Sequence, residues 1–309
     1  ADLNELASNV WSSNVTRSEA GELTVAGVAA ADIAHEFGTP AYVVDEADFR
    51  ARCRAWAAAF ADFDVYYAGK AFLCVATARW IAEEGLNLDV STGGELAVAL
   101  KAEFPPARIG LHGNNKSVTE LRRALDAGVG RIIIDSIEEI ERLRDLTAEL
   151  GVTAPVLVRV TAGVEAHTHE YISTSHEDQK FGFSITGGDA FDAVKRVLAE
   201  PGLQLLGLHS HIGSQIFVTD GFEVAARRVL RLHADIEKEL GVALPEFDLG
   251  GVMKLPALHR IAVFLTAEGY PVDRRWVGDM QLPSAGEREN SETVGHAAIG
   301  SFAEVDGRR

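Results

Sequence analysis

Lysine is scarce in this chain. Of 29 basic residues among 309, only seven are Lys, so a lysine is seldom placed where any cation would serve. Sulfur is scarce too, with two methionines, Met253 and Met280, and two cysteines, Cys53 and Cys74. Both cysteines lie in apolar, helix-like segments. They are expected as buried free thiols, which excludes a disulfide framework or a cysteine-based metal site. No apolar run approaches the roughly 18 residues needed to span a bilayer. Excess positive charge is missing as well: the net charge of −17 argues against nucleic acid or an anionic membrane as partner, since both demand clustered basic residues. The opening stretch ADLNELASNVWSSNVTRSEAGELTV lacks the basic-then-apolar order of a secretory leader, and a cytoplasmic protein is expected.

What is present is the material of a globular fold. With 47% hydrophobic and 24% charged residues, the chain can bury a sizeable core as one large domain or two ordinary ones. From residue 46 to about 251 short apolar runs alternate with longer segments of helical spacing: VYYA, LNLDV, RIGLHG, RIIIDS, PVLVRV, LQLLGLHSHIG and EFDLGG are the strand-like runs. Such alternation predicts parallel βα units. Gly85, Gly128, Gly151 and Gly241 fall where helices should stop. The expected fold is α/β: a partial (β/α)8 barrel of the TIM type. Residues 1–45 stand apart, with ELTVAGV and AYVVDE reading as strands around a short helix, AADIAHEFG, in a separate β element. Residues 252–309 lose the rhythm and read as an atypical, weakly ordered tail.

In a βα barrel the functional side chains gather at the C-terminal ends of the strands. Lys70, Asp89, His112, Asn114, Asn115, Asp135, Arg159, His209, His211, Gly213, Ser214, Gly250 and Gly251 all fall there. Lys70 follows the first strand. A desolvated lysine amine can attack a carbonyl and form a Schiff base, although an exposed lysine capping a strand would leave the same local pattern. In HSHIGSQ, His209 and His211 face the same side of the strand. Two metal ligands are one reading, but no third histidine or acidic residue follows at helical spacing. Gly213–Ser214 and Gly250–Gly251 each offer the backbone N–H groups of a tight turn, a pattern suited to phosphate. The stretch VEAHTHEYISTSHEDQKFGFS holds His167, His169 and His176 at spacings too irregular for zinc. It is expected as an active-site loop.

These segments in this order resemble the fold-type III, pyridoxal-phosphate-dependent decarboxylases, with the alanine-racemase-like barrel, and are most similar to diaminopimelate decarboxylases of the actinobacterial kind. YYAGKAFLC, EEGLNLDVSTGGELAVAL, LHGNNKS, HEDQKFG and GLHSHIGSQIF carry the resemblance. It implies pyridoxal 5'-phosphate as cofactor, held by Lys70, with His211 against its ring. Gly213, Ser214, Gly250 and Gly251 would meet its phosphate, and Asp89 and Arg159 would line its surroundings. His112, Asn114 and Lys180 would border the substrate. The implied reaction is decarboxylation of meso-2,6-diaminopimelate to L-lysine, by a homodimer with no nucleic-acid or membrane partner and no metal. An ornithine- or arginine-type decarboxylase and a non-catalytic cofactor-binding relative are the alternatives. HSHIGSQ and HGNNKS argue against the first.

After residue 251 the resemblance stops. The third glycine of the LGG turn is Val252, the strand-eight motif Glu-Pro-Gly-Arg is absent, and so is the family's C-terminal β-domain. The break fits a shifted reading frame or a deletion near codon 252. Without strand eight, the barrel is expected to stay open at its edges.

Overall fold

A computed structural model describes residue 6 and residues 11–61, 63–163, 181–211, 220–250 and 275–280. The chain divides into two compact units, one of which takes the described residues up to Arg52 and the other those from Cys53 onwards.

The first unit carries a small antiparallel sheet in the order β1 (Val15–Arg17), β2 (Leu23–Val25), β3 (Val28–Ala29), followed by α1 (Ala30–Phe37). The Thr16 and Thr24 hydroxyls bond across β1 and β2 at 2.6 Å. AYVVDE was expected to add a strand, yet residues 41–45 take no strand conformation. A strand needs a neighbour as well as β-branched residues, and none of the described strands pairs with this stretch. Asp45 instead starts α2 (Glu46–Ala59), where its carboxylate accepts the Asp48 N–H at 3.1 Å and the Asn14 amide at 3.2 Å.

The second unit is built on parallel strands: β4 (Asp64–Ala68), β5 (Asn87–Val90), β6 (Ile109–Leu111), β7 (Arg131–Ile134), β8 (Ala154–Thr161), β9 (Phe183–Ser184), β10 (Leu203–His209), β11 (Glu246–Asp248) and β12 (Arg275–Met280). Between them run α3 (Val75–Glu83), α4 (Gly93–Lys101), α5 (Val118–Ala127), α6 (Ile137–Leu150), α7 (Asp189–Ala199) and α8 (Asp220–Leu240). All residues of β5, β6 and β7 are buried, as expected of parallel strands covered on both faces. The helix starts follow from side chains. Ser117 and Glu120 form a reciprocal capping box on α5, and Ser136 caps α6 through the Glu139 N–H, each satisfying an otherwise orphan donor. Gly128 and Gly151 end α5 and α6 in the left-handed conformation. Cys53 is buried and Cys74 half-buried, and neither forms a disulfide.

The TIM-type α/β arrangement read from the sequence is present, and one expectation about it changes. Pairing runs from β4 through β5, β6, β7 and β8 to β10, β11 and β12, and β12 returns to β4. The strand-eight position is filled by residues 275–280, within the stretch expected to be a tail, so the described strands form a ring. The physical reason is that β11 and β4 each offer an unsatisfied row of backbone donors and acceptors at the gap. Ladder bonds place little demand on side-chain identity. Residues 251–274, between β11 and β12, lie outside the described residues.

Inside the ring, Arg131 at the start of β7 donates from Nε and Nη2 to both carboxylate oxygens of Glu246 at the start of β11, each at 2.7 Å. β8 and β10 separate these strands in the ring, so the two side chains meet across the interior. The guanidinium also lies 5.7 Å from the Tyr66 ring centroid, and 3.7 Å from Asp64 at the start of β4. Arg131 and Glu246 are both buried, whereas Asp64 is half-exposed. Breaking such a pair leaves an uncompensated buried charge. Glu246→Ala is expected to lower unfolding stability by about 3–5 kcal/mol, read as a fall in the urea midpoint. Arg131→Met/Glu246→Leu, which removes both charges, should recover most of that loss.

Candidate functional site

Strand register explains why the polar strand ends converge. Arg159 of β8 pairs with His209 of β10, and His209 pairs with Asp248 of β11. Residues paired across parallel strands face the same way, so these three side chains point together at the C-terminal end of the ring. On the other side Ala68 pairs with Asp89, and Asp89 with Gly110. Gly110 has no side chain, and a Cβ there would stand 2.5 Å from Asp89 Oδ1, so the glycine makes the room that the carboxylate fills. Asp89 Oδ1 in turn lies 3.1 Å from His112 Nε2.

Together these groups bound a cavity of about 330 Å³, whose lining includes Lys70, Asp89, Ser91, His112, Asn114, Arg159, Phe181, His209 and His211. That volume suits a small molecule. Lys70 sits in the turn just past β4 and reaches the cavity, with its side chain exposed. The histidines of HSHIGSQ both line the cavity, as their spacing predicts. Gly250 lies against them, with φ +51°. A Cβ there would meet Ser210 O at 2.6 Å, His209 Nε2 at 3.0 Å and His211 Nδ1 at 3.2 Å. Its N–H is held by Asp248 Oδ1 at 2.8 Å. Gly213, Ser214, Gly251 and Lys180, together with His167, His169 and His176, lie outside the described residues.

Asp135, which the sequence places at a strand end, does not line the cavity; it stands behind Arg159. Its Oδ2 faces Arg159 Nη1 at 3.5 Å and its Oδ1 accepts the Gly182 N–H at 2.5 Å. Arg159 lies 4.4 Å from the Phe181 ring centroid, and Phe181 O accepts the Thr161 hydroxyl at 2.8 Å. Phe181 was legible only as part of QKFG, and its place under the guanidinium has no sequence signal.

His209 is buried to 1% exposure, and neither ring nitrogen has a hydrogen-bond partner among the described residues. Its pKa falls well below the ordinary histidine value, first because burial penalises the cation and then because His112, Arg159, His211 and Lys70 add positive charge nearby. The imidazole is therefore neutral at physiological pH. Ligand atoms of His112, His209 and Asp248 lie within 4.8 Å of one another. A divalent ion there would compete with the contacts that Asp248 makes to Gly250 and His112 to Asp89.

The donor set fits a phosphorylated aldehyde cofactor: an amine at Lys70, imidazole faces at His209 and His211, a cation at Arg159, and a glycine turn at Gly250 that leaves room where a Cβ would intrude. The comparison with known sequences decides which one. Residues 46–254 match the family model described as pyridoxal-dependent decarboxylase, pyridoxal binding domain. The chain belongs to this family. Its cofactor is pyridoxal phosphate. Diaminopimelate decarboxylase of Mycobacterium tuberculosis is 59% identical over 255 residues, which cover 81% of this chain and 57% of that protein. That of Corynebacterium efficiens is 53% identical over 249 residues, or 80% of this chain and 54% of the relative. Among solved structures, diaminopimelate decarboxylase from M. jannaschii in co-complex with L-lysine superposes with a TM-score of 0.78 at 29% identity, covering 87% of this chain and 66% of that one. The matched region thus spans little more than half the length of the curated relatives.

A histidine held neutral by burial makes stability depend on pH. The unfolded chain binds a proton at His209 below about pH 6.5, whereas the folded chain does not until far lower. Stability from this source is complete above about pH 6.5 and is lost as pH falls below it. The urea midpoint is expected to drop between pH 7.5 and 5.5, and His209→Leu should make that drop shallower. A slope unchanged by the substitution would remove His209 from this account.

Proposed function

We propose that this chain is the cofactor-binding part of a decarboxylase that converts meso-2,6-diaminopimelate to L-lysine and CO2. The observation that carries the reading is the cavity itself. An amine, three imidazoles and a guanidinium from four separate strand ends converge on one space, in a region 59% identical to a curated diaminopimelate decarboxylase.

In this reading Lys70 holds the cofactor through its amine, and His211 lies against the ring. Gly250 contributes to the phosphate turn, with Gly213, Ser214 and Gly251 as its further members. Asp89, paired with His112, and Arg159, aimed by Asp135, fix the charge around the ring. His112 and Asn114 border the substrate, with Lys180, just before Phe181 in sequence, as a further member. When bound, pyridoxal phosphate supplies the electron sink for the pair left behind as the carboxylate departs as CO2. The protein's share is to orient the breaking bond and to keep the neutral His209 beneath the site, so that no further positive charge is buried there. The reaction replaces a C–C bond with a C–H bond at the α-carbon and takes up one proton. The proposal includes a homodimer acting in the cytoplasm. No helix among the described residues is long and apolar enough to cross a membrane.

The test is chemical capture. Incubation with pyridoxal phosphate, borohydride reduction and peptide mass spectrometry should give a pyridoxyl adduct at Lys70, which Lys70→Ala removes. Release of L-lysine and CO2 from meso-diaminopimelate then separates the decarboxylase from a relative that only binds the cofactor. Adducts scattered over surface lysines would overturn the assignment of Lys70.

A further inference from the structure

The scarcity that singles out Lys70 singles out a second lysine. Lys116 ends the loop that leaves β6 with His112, Gly113 and Asn114 and enters α5 after Ser117. It is 3% exposed and does not line the cavity. A buried ammonium is tolerated only where its protons find acceptors and its charge a counter-charge, and Lys116 Nζ has two carbonyl acceptors and a carboxylate partner. It donates to Gly113 O at 2.5 Å and to Ile133 O at 2.7 Å, and it meets Glu139 Oε1 at 2.7 Å.

Those acceptors belong to three different elements: the loop itself, the end of β7 and the first turn of α6. Gly113 has φ +116°, and a Cβ there would lie 3.2 Å from Ser91 O. This unusual backbone turns the Gly113 carbonyl towards the ammonium. Glu139 is anchored as well, since its Oε2 accepts the Asp135 N–H at 3.0 Å. Asp135 is the residue whose carboxylate faces Arg159 and holds Gly182. The Lys116 carbonyl accepts from Arg142 at 2.9 Å. One chain of hydrogen bonds and ion pairs therefore joins the loop bearing His112 and Asn114 to the guanidinium of β8, two strands further round the ring. Burial draws Lys116 down and Glu139 up from their ordinary values, each opposed by the charge of the other.

We infer that Lys116 is a positioning residue: its ammonium grips the Gly113 carbonyl against β7 and α6 and so sets where His112 and Asn114 stand on the cavity wall. The consequence for cofactor binding rests on the function proposed above; the consequence for the loop does not. A merely structural role, as the counter-charge of Glu139, makes a different prediction, because it is satisfied once both charges are gone.

Three variants separate the two roles. Lys116→Met strands the Glu139 carboxylate and is expected to melt well below the parent chain. Lys116→Met/Glu139→Gln removes both charges while the Gln side-chain oxygen still accepts the Asp135 N–H, and it should melt near the parent, which keeps the test open if the single variant does not fold. In this double variant backbone amide exchange across residues 112–115 should quicken by about tenfold or more, while β7 stays protected. Its affinity for pyridoxal phosphate, followed by visible circular dichroism of the bound cofactor, should fall on the order of tenfold, the scale on which residues supporting a site act. Lys116→Arg should not rescue either property, because a planar fork cannot bring one nitrogen to both carbonyls and the Glu139 carboxylate in the space of an ammonium. Parent-like loop protection and cofactor affinity in the double variant would overturn the inference. If the parent chain takes up no cofactor, the proposed function fails, and the exchange experiment alone decides on Lys116: fast loop exchange supports the grip, and unchanged protection ends it.

Discussion

A ring of parallel strands has an inside, and any charge placed there must be answered there. Arg131 and Glu246 do this across the interior, 115 residues apart in sequence, with Tyr66 against the guanidinium. Arg131 and Glu246 lie at the N-terminal ends of their strands. Their charges answer one another there, and the opposite end of the ring holds the cavity. The fold thus separates two uses of buried charge. At one end, charges cancel and hold strands together. At the other, they are spread around a space, with Lys70 and Arg159 on the wall and Asp89 between them.

That distribution matters because the protein as a whole is strongly acidic, at −17. The cavity is a local exception: its lining carries one carboxylate against an ammonium and a guanidinium, with histidines between. Low-dielectric walls strengthen such a local field, and an anionic ligand would be drawn to it. The neutral state of His209 limits the effect. Were it charged, a further buried cation would stand beside Arg159 without a partner among the described residues, which burial does not permit.

The βα rhythm was legible because it rests on local rules. Ser117 with Glu120, Ser136, Gly128 and Gly151 mark helix ends from within a few residues, and apolar runs mark strands. The histidines of HSHIGSQ could be assigned to one face for the same reason. Properties that belong to pairs were not legible. AYVVDE has the side chains of a strand but pairs with none of the described strands. RWVGDM, residues 275–280, lacks the family's strand-eight motif yet sits in the ladder between β11 and β4. Nothing in RIII or EFD announces that Arg131 and Glu246 meet. Asp135 was read as a strand-end candidate, and its partners show it acting one step back, on Arg159 and Gly182. Lys116 is the instructive case, since the rarity of lysine applied to it as fully as to Lys70. HGNNKS was read for its resemblance to the family and not for its lysine, and only the three-dimensional positions of Ile133 and Glu139 reveal a buried ammonium.

The strand that completes the ring also has a meaning for inheritance. β12 is held on both sides through main-chain ladders, in the position where the family resemblance implies a Glu-Pro-Gly-Arg motif. Geometry and chemistry at this position are therefore separable traits. Closure asks only for an extended segment of the right length, whereas the reactive functions of the missing motif ask for particular side chains. A barrel of this kind can keep its architecture through a replacement that erases its local chemistry. Shape is the more forgiving of the two characters, and it can outlast the residues for which the site was first selected.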